Sequence, residues 1–219
     1  MRAIRLSFMG TTNRPGRPRA GAERDLRSAL LATSRSLLDQ GGPGALSMRE
    51  VARRAGCTHQ APYHYFRDRE TILAELVREG FDLLAQRLRL ANDQAKAVDA
   101  RSALVAAGSA YVDFALEQPG VFRIMFRPDM CDPTRFPAVL VAGTGARAEL
   151  DRLNVIVHRD AADAVQASIL WAHVHGLACL LVDGPLSLQF NSPQARADHV
   201  RDVAQRFADL VLSRPARRP

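Results

Sequence analysis

Residues 47–66 read SMREVARRAGCTHQAPYHYF, two short segments of helical character on either side of a single glycine. Ser47 followed by Glu50 is typical of a capping box, in which the serine hydroxyl accepts a backbone N–H and the glutamate side chain reaches back. The pattern predicts a short helix from Ser47 to about Ala55, with Gly56 as the residue that ends it.

A third helix is predicted after this turn, from His59 to about Tyr65, with Thr58 as its cap. Pro62 lies near the start of this helix, where a missing N–H costs little. Two short helices about a tight turn form a helix-turn-helix, whose second helix fits the major groove of a DNA duplex. The sequence therefore predicts a segment that binds double-stranded DNA.

The residues at the start of the third helix are short or able to hydrogen-bond, as side chains that read base edges must be. Gln60 could form a bidentate pair with adenine. The predicted base-facing residues are Thr58, His59, Gln60, Ala61 and His64. The predicted phosphate contacts, which fix the register on the duplex without reading its sequence, are Ser47, Arg49, Tyr63 and Arg69.

Positive charge is concentrated in the first part of the chain. The formal net charge is +7, and the sixteen arginines and nine acidic residues up to Ala91 account for all of it. This asymmetry favours a polyanion as partner, although solvated surface charge would give the same count. Residues 1–22 form a predicted flexible basic arm, in which Arg17 and Arg19 either enter a DNA minor groove or belong to an inert start.

Seven further segments show apolar residues at helical spacing, and none shows a convincing strand pattern. These predicted helices cover residues 23–40, 68–90, 101–117, 119–126, 138–153, 160–182 and 193–213. The predicted fold class is all-α, with an N-terminal three-helix helix-turn-helix domain and a C-terminal helical ligand-binding and dimerisation domain. The predicted boundaries are 1–22 for the arm, 23–68 for the helix-turn-helix domain, 69–213 for the regulatory and dimerisation domain, and 214–219 for a basic tail.

Composition and motifs disfavour several other classes. The chain is 47% apolar and 24% charged, as a folded soluble protein is. The apolar run from Val165 to Val182 contains Gln166, His173 and His175, which favours a buried helix over a membrane span. Three separated cysteines indicate neither a disulfide framework nor a zinc finger, and the N-terminus does not resemble a signal peptide, so we expect a cytoplasmic location. No enzyme motif, metal site or cofactor is predicted.

Three runs carry a resemblance to a known family. VARRAGCT at 51–58, APYHYF at 61–66 and DRETIL at 68–73 resemble the DNA-binding domain of the TetR family of transcriptional regulators. By that resemblance, the Tyr-x-x-Phe run that ends at Phe66 closes the recognition helix, and Arg69 stands in for a phosphate-binding lysine. Cys57 occupies the position of the family's usual valine, so we assign it to packing rather than to redox sensing.

The C-terminal half is similar to a TetR class named for a Trp-His-Gly signature, through WAHVHG at 171–176 and ALEQPGVFRIMF at 115–126. The resemblance implies a homodimer formed by the last two long helices and a pocket that binds a small-molecule effector. The candidate ligand-binding residues, each of which core packing would also explain, are Phe122, Met125, Phe126, Trp171 and His175. Arg123 and Arg127 either bind an anionic effector or solvate a helix face.

These observations lead to one expected function and one alternative. The expected function is that of a TetR-type repressor, released from a near-palindromic operator when an effector shifts the helix at 68–90. The alternative is a constitutive helix-turn-helix module that binds DNA or protein without an effector.

Overall fold

The computed structural model of the protein describes residues 20–96, 99–158 and 164–213. Over these ranges the chain forms eight α-helices and two short 3-10 helices without any strand, which confirms the all-α class. The α-helices are α1 (Ala20–Ala45), α2 (Met48–Arg54), α3 (Arg69–Lys96), α4 (Ala100–Glu117), α5 (Pro119–Met125), α6 (Pro137–His158), α7 (Ala164–Val182) and α8 (Pro193–Leu212). The 3-10 helices are Ala61–His64 and Pro185–Leu188. Arg17, Arg19 and the tail at 214–219 lie outside the described residues.

The first helix does not stop where the sequence predicts. Regular helix was expected to end at Gln40, but helical hydrogen bonding continues to Ala45. The glycine-rich turn instead introduces a kink at Gly42, whose φ of 65° and ψ of −170° are not helical. Only glycine adopts such a backbone at no steric cost, so the chain changes direction there and resumes one further turn at Pro43.

One of the two hydrogen bonds predicted for the cap of α2 is present. The Ser47 hydroxyl accepts the backbone N–H of Glu50 at 3.2 Å. The expected return bond is wrong, because the Glu50 carboxylate accepts from Arg53 and Arg54 instead, at 2.7 to 2.9 Å. Two guanidinium groups three and four residues further along the helix offer charge-assisted bonds that a neutral N–H does not match.

The long helix α3 connects the head, formed by α1, α2 and the 3-10 helix at 61–64, to the body, formed by α4 to α8. It begins where predicted, since the Asp68 carboxylate accepts the backbone N–H of Thr71 at 2.8 Å, and it extends to Lys96 rather than to residue 90. One apolar core continues from the head into the body along this helix; it includes Leu38, Phe66, Leu73, Leu84 and Leu88, all at most 2% exposed.

The body packs α3 between α4 and α6, with α7 and α8 against α4. Among the described residues, α7 is the helix whose length and apolarity would allow a membrane span, a weak indication that core helices also give. Its residues Leu170, Val174 and Ala178 are buried in the core cluster, whereas Ile169 and Leu180 are exposed, so one face of the helix is buried rather than the whole helix as predicted.

Candidate DNA interface and effector cavity

The recognition segment is shorter and tighter than the sequence suggests. A third helix from His59 to about Tyr65 was predicted, whereas regular 3-10 structure covers only Ala61–His64 and the preceding residues form a turn. Pro62 explains the difference, because it has no N–H with which to close an α-helical turn on the Thr58 carbonyl. The N–H of Ala61 bonds that carbonyl instead, at 3.0 Å. The predicted side-chain cap by Thr58 is wrong, because the short helix begins after Gln60 and no side chain accepts from its first N–H groups.

A buried residue within the recognition segment and another just after it hold the segment in place. Pro62 is buried and Phe66 is 2% exposed in the core. The turn before it requires glycine, since Gly56 has φ 68°. Cys57 is half-buried and its thiol contacts the Ala52 carbonyl at 3.6 Å, in keeping with a packing role.

The predicted base-facing residues lie on one exposed stretch of chain. Thr58, His59, Gln60 and His64 are exposed, whereas Ala61 is half-buried. Tyr63, a predicted phosphate contact, is 52% exposed although it is a large aromatic residue next to a buried proline. Polar side chains on a fixed, convex turn are what a reader of base edges requires.

The predicted phosphate contacts divide into free and engaged groups. Ser47 and Arg49 are exposed, and Arg49 forms no ion pair within the described chain. Arg69 is different, because its Nε and one Nη donate to the carbonyls of Leu46 and Pro43 at 2.8 and 2.6 Å. These bonds tie the start of α3 to the end of α1, so Arg69 positions the head and has only its remaining Nη to offer a phosphate.

Two neighbouring arginines share one carboxylate, and a further arginine that the sequence reasoning missed has no such partner in the described ranges. Arg53 and Arg54 share Glu50, and hydrogen bonds from both lower the pKa of that carboxyl to about 2. Arg67 is exposed, directly follows the core residue Phe66, and forms no ion pair with any other described residue. Its charge beside the Tyr-x-x-Phe run was the signal that could have identified it.

Two polar contacts join the body to the head and to the start of α3. The Asp39 carboxylate of α1 accepts the N–H of Gly120 in α5 at 2.8 Å. Arg135, in the loop between α5 and α6, donates to Asp68 at 2.9 Å and also pairs with Glu70 at the start of α3. The first contact joins α5 to α1, and the second joins the loop between α5 and α6 to the start of α3.

The body contains a cavity of about 690 Å³, which we call the effector cavity. Four of the five candidate ligand residues line it: Met125, Phe126, Trp171 and His175. Phe122 does not; it is 4% exposed and faces a second cavity of about 370 Å³ on the other side of Phe126 and His175. Other residues of the effector cavity, which the sequence analysis did not single out as ligand contacts, include Phe81, Val139, Leu140, Thr144, Arg147 and Ser168.

A chain of hydrogen bonds crosses the inner wall of the effector cavity. Trp171 Nε1 donates to the Tyr111 hydroxyl at 3.3 Å, and that hydroxyl lies 2.9 Å from His175 Nδ1. Because the hydroxyl accepts from Trp171, its own proton can be donated to His175 Nδ1. Burial lowers the pKa of His175 and raises that of Tyr111, so both groups stay uncharged.

The remaining candidates have structural partners. Arg123 donates to Asp183 at 2.7 to 2.9 Å and Arg127 pairs with Asp129, so both line the second cavity with their charge compensated. His173 stacks on Phe207, with ring centroids 3.6 Å apart and an interplanar angle of 6°. Among the described residues no three histidine, cysteine or acidic groups converge as metal ligands would.

Comparison with known proteins agrees with this architecture. Residues 30–76 match the family model "Bacterial regulatory proteins, tetR family", and residues 104–204 match "Tetracyclin repressor-like, C-terminal domain". A protein of unknown function from Rhodococcus sp. RHA1 is 30% identical, with a TM-score of 0.70 over 85% of this chain and 93% of that one.

Two more distant structures have the same fold. The TetR family transcriptional regulator PfmR from Thermus thermophilus is 21% identical with a TM-score of 0.60, over 84% of this chain and 96% of that one. The TetR-like regulator LfrR from Mycobacterium smegmatis, solved in complex with proflavine, is 17% identical with a TM-score of 0.60 and the same coverage.

With these family matches, an exposed helix-turn-helix on a helical body with a cavity identifies a DNA-binding transcriptional regulator. The chain belongs to the TetR family.

Proposed function

We propose that the protein is a homodimeric, cytoplasmic repressor that leaves a near-palindromic operator when a small molecule occupies the effector cavity. The observation that carries the proposal is the exposed polar segment from Thr58 to His64, held on the buried Pro62 and Phe66. In this reading Gln60 reads a base, while Arg49 and Arg67 bind phosphates. We also assign the body to the Trp-His-Gly class, a proposal that the run WAHVHG at 171–176 supports.

Dimerisation is supported by an apolar stripe along α7. Ile169, Ala172, Gly176 and Leu180 recur every three or four residues; Ile169 and Leu180 are 40% and 44% exposed. A methyl group added at Gly176 would meet no atom of the chain within 4 Å, so close packing at this glycine requires a second molecule. On α8, Leu210 is 71% exposed. Two copies joined here would present two recognition segments to half-sites about 34 to 36 Å apart.

In this proposal, α3 transmits the effect of ligand binding from the cavity to the DNA-binding head. Phe81 lines the cavity, and Arg69 ties the same helix to the end of α1. Twelve residues separate them, about 18 Å of rigid helix. A ligand that displaces Phe81 tilts this helix and changes the separation of the two heads. A coupling of about 1 to 3 kcal/mol is enough for useful release. LfrR, which has the same fold, was solved in complex with proflavine, and this supports a small-molecule ligand for this protein.

A selection of bound sequences from random DNA tests the proposal. We expect an enriched near-palindromic site, and binding to it that weakens with salt and is stoichiometric with a dimer. If the selection enriches no sequence, the proposal that the protein is a sequence-specific regulator is wrong. An enriched operator that no small molecule releases would leave the constitutive module as the function.

A further inference from the structure

The charge on the lining of the effector cavity has one sign. Arg147 is the charged residue of the lining, which lies wholly in the described part of the chain and includes no aspartate or glutamate. The nearby loop carboxylates have other partners: Asp129 pairs with Arg127, and Asp132 accepts from the backbone and hydroxyl of Thr134. A cationic ligand would therefore meet Arg147 and no acidic residue on the lining, and Asp151 beside the cavity is already paired with Arg147, so a largely apolar site disfavours such a ligand.

Arg147 is arranged so that it can donate hydrogen bonds to a ligand. Its guanidinium carbon lies 5.9 Å from the centre of the Trp171 ring, and its Nε bonds Asp151 at 3.0 Å. Its side chain and that of Asp151 are 39% and 42% exposed, so this pair is weak. Both terminal nitrogens are without a bond in the described chain, and a carboxylate prefers the paired donors that a guanidinium provides.

His175 supplies a second donor on the lining of the cavity. Its Nδ1 lies 2.9 Å from the Tyr111 hydroxyl, which is itself bonded by Trp171. The neutral ring then carries its proton on Nε2, for which the described residues provide no acceptor. Phe81, Phe126 and Trp171 form the apolar wall between the two donors.

We propose that the effector is an apolar carboxylic acid, whose carboxylate binds Arg147 over the Trp171 ring and whose body lies against Phe81 and Phe126. This inference rests on the proposed function, because it names the ligand class of the same cavity. A volume of about 690 Å³ lies within the range of cavities that enclose a drug-sized molecule. Acids with a further oxygen atom that can accept a hydrogen bond from His175 Nε2 should bind more tightly than acids without one.

The single tryptophan of the chain provides the readout, because it lies in the cavity beneath Arg147. Its fluorescence is titrated in the full-length protein with octanoic, dodecanoic and hexadecanoic acids, and with the amines and alcohols of the same chain lengths. We expect at least one acid to change the emission with an affinity about tenfold higher than that of its amine and alcohol, equivalent to about 1.4 kcal/mol.

Substitutions separate the charge from the fold. Arg147→Gln should make the acid and the alcohol bind equally, Arg147→Lys should keep part of the preference, and Arg127→Gln, a control facing the second cavity, should keep all of it. The ligand class is overturned if the amine binds as well as the acid, if Arg147→Gln keeps the preference, or if no acid changes the emission. Operator binding by the ligand-free protein is measured in parallel. If the ligand-free protein binds no operator, the proposed function is wrong, whatever the fluorescence shows.

Discussion

Replacing Gly120 with alanine tests the contact between the head and the body. A Cβ at this position would lie 2.6 Å from the backbone atoms Asp39 N and Leu38 C, distances that real Cβ atoms do not adopt. Backbone atoms cannot rotate away, so α1 and α5 must separate by about 1 Å to restore normal contact. Overpacking of this kind costs about 1 to 3 kcal/mol, and the Gly120 bond to the Asp39 carboxylate weakens as well.

We therefore expect Gly120→Ala to lower the free energy of unfolding by about 3 kcal/mol and Tm by about 6 to 12 °C. Urea titration and calorimetry measure the two quantities. Gly145→Ala is the matched control, because a methyl group there meets nothing within 4 Å of its Cβ. Removing a glycine from the interior of α6 should stabilise the protein by about 0.5 to 1 kcal/mol. Equal stability of the two variants would refute the close approach of α1 and α5.

Three further outcomes follow from the contacts in the head and body. Arg69→Ala should destabilise the protein by about 2 to 3 kcal/mol in urea titrations, because two carbonyls lose a charged donor; an unchanged midpoint would mean that these bonds contribute nothing. Burial lowers the pKa of His173 below its ordinary 6.5, so the unfolded chain binds more protons than the folded one just below that pH. Stability should decline as pH falls from about 6.5, and His173→Gln should make the decline shallower; a wild-type slope in that variant would contradict the buried state. Tyr63→Ala should weaken binding to every duplex by about fivefold in anisotropy titrations, with stability unchanged, whereas loss at one sequence only would make Tyr63 a reader of bases.

The type and order of the helices could be predicted because they depend on short-range signals. Apolar spacing and the Ser47 cap located α2, and the Asp68 carboxylate marks the start of α3. The recognition segment was predicted less well. Spacing favours a helix from His59, but whether Pro62 is tolerated in α or 3-10 geometry depends on which N–H reaches the Thr58 carbonyl. The N–H of Ala61 reaches that carbonyl because Pro62 has none, and a 3-10 turn results.

The cavity was harder to predict than the fold, because it forms between helices that are distant in sequence. Aromatic residues near the two C-terminal runs indicated Phe126 and Trp171, and both line the cavity. Phe81 was not singled out, since a core residue and a cavity residue have the same spacing. Tyr111 and Arg147 gave no signal, because their roles depend on a hydroxyl and a guanidinium that meet Trp171 across the body.

The central claim is that the exposed turn from Thr58 to His64 reads DNA sequence, once from each copy of a dimer. Affinities of the wild type and of Gln60→Ala are measured for the selected operator and for duplexes in which each base pair is changed in turn. The account predicts that Gln60→Ala abolishes discrimination of about 1 to 3 kcal/mol at one base pair in each half-site and leaves the other positions unchanged. Identical discrimination profiles for the two proteins at every position would contradict it.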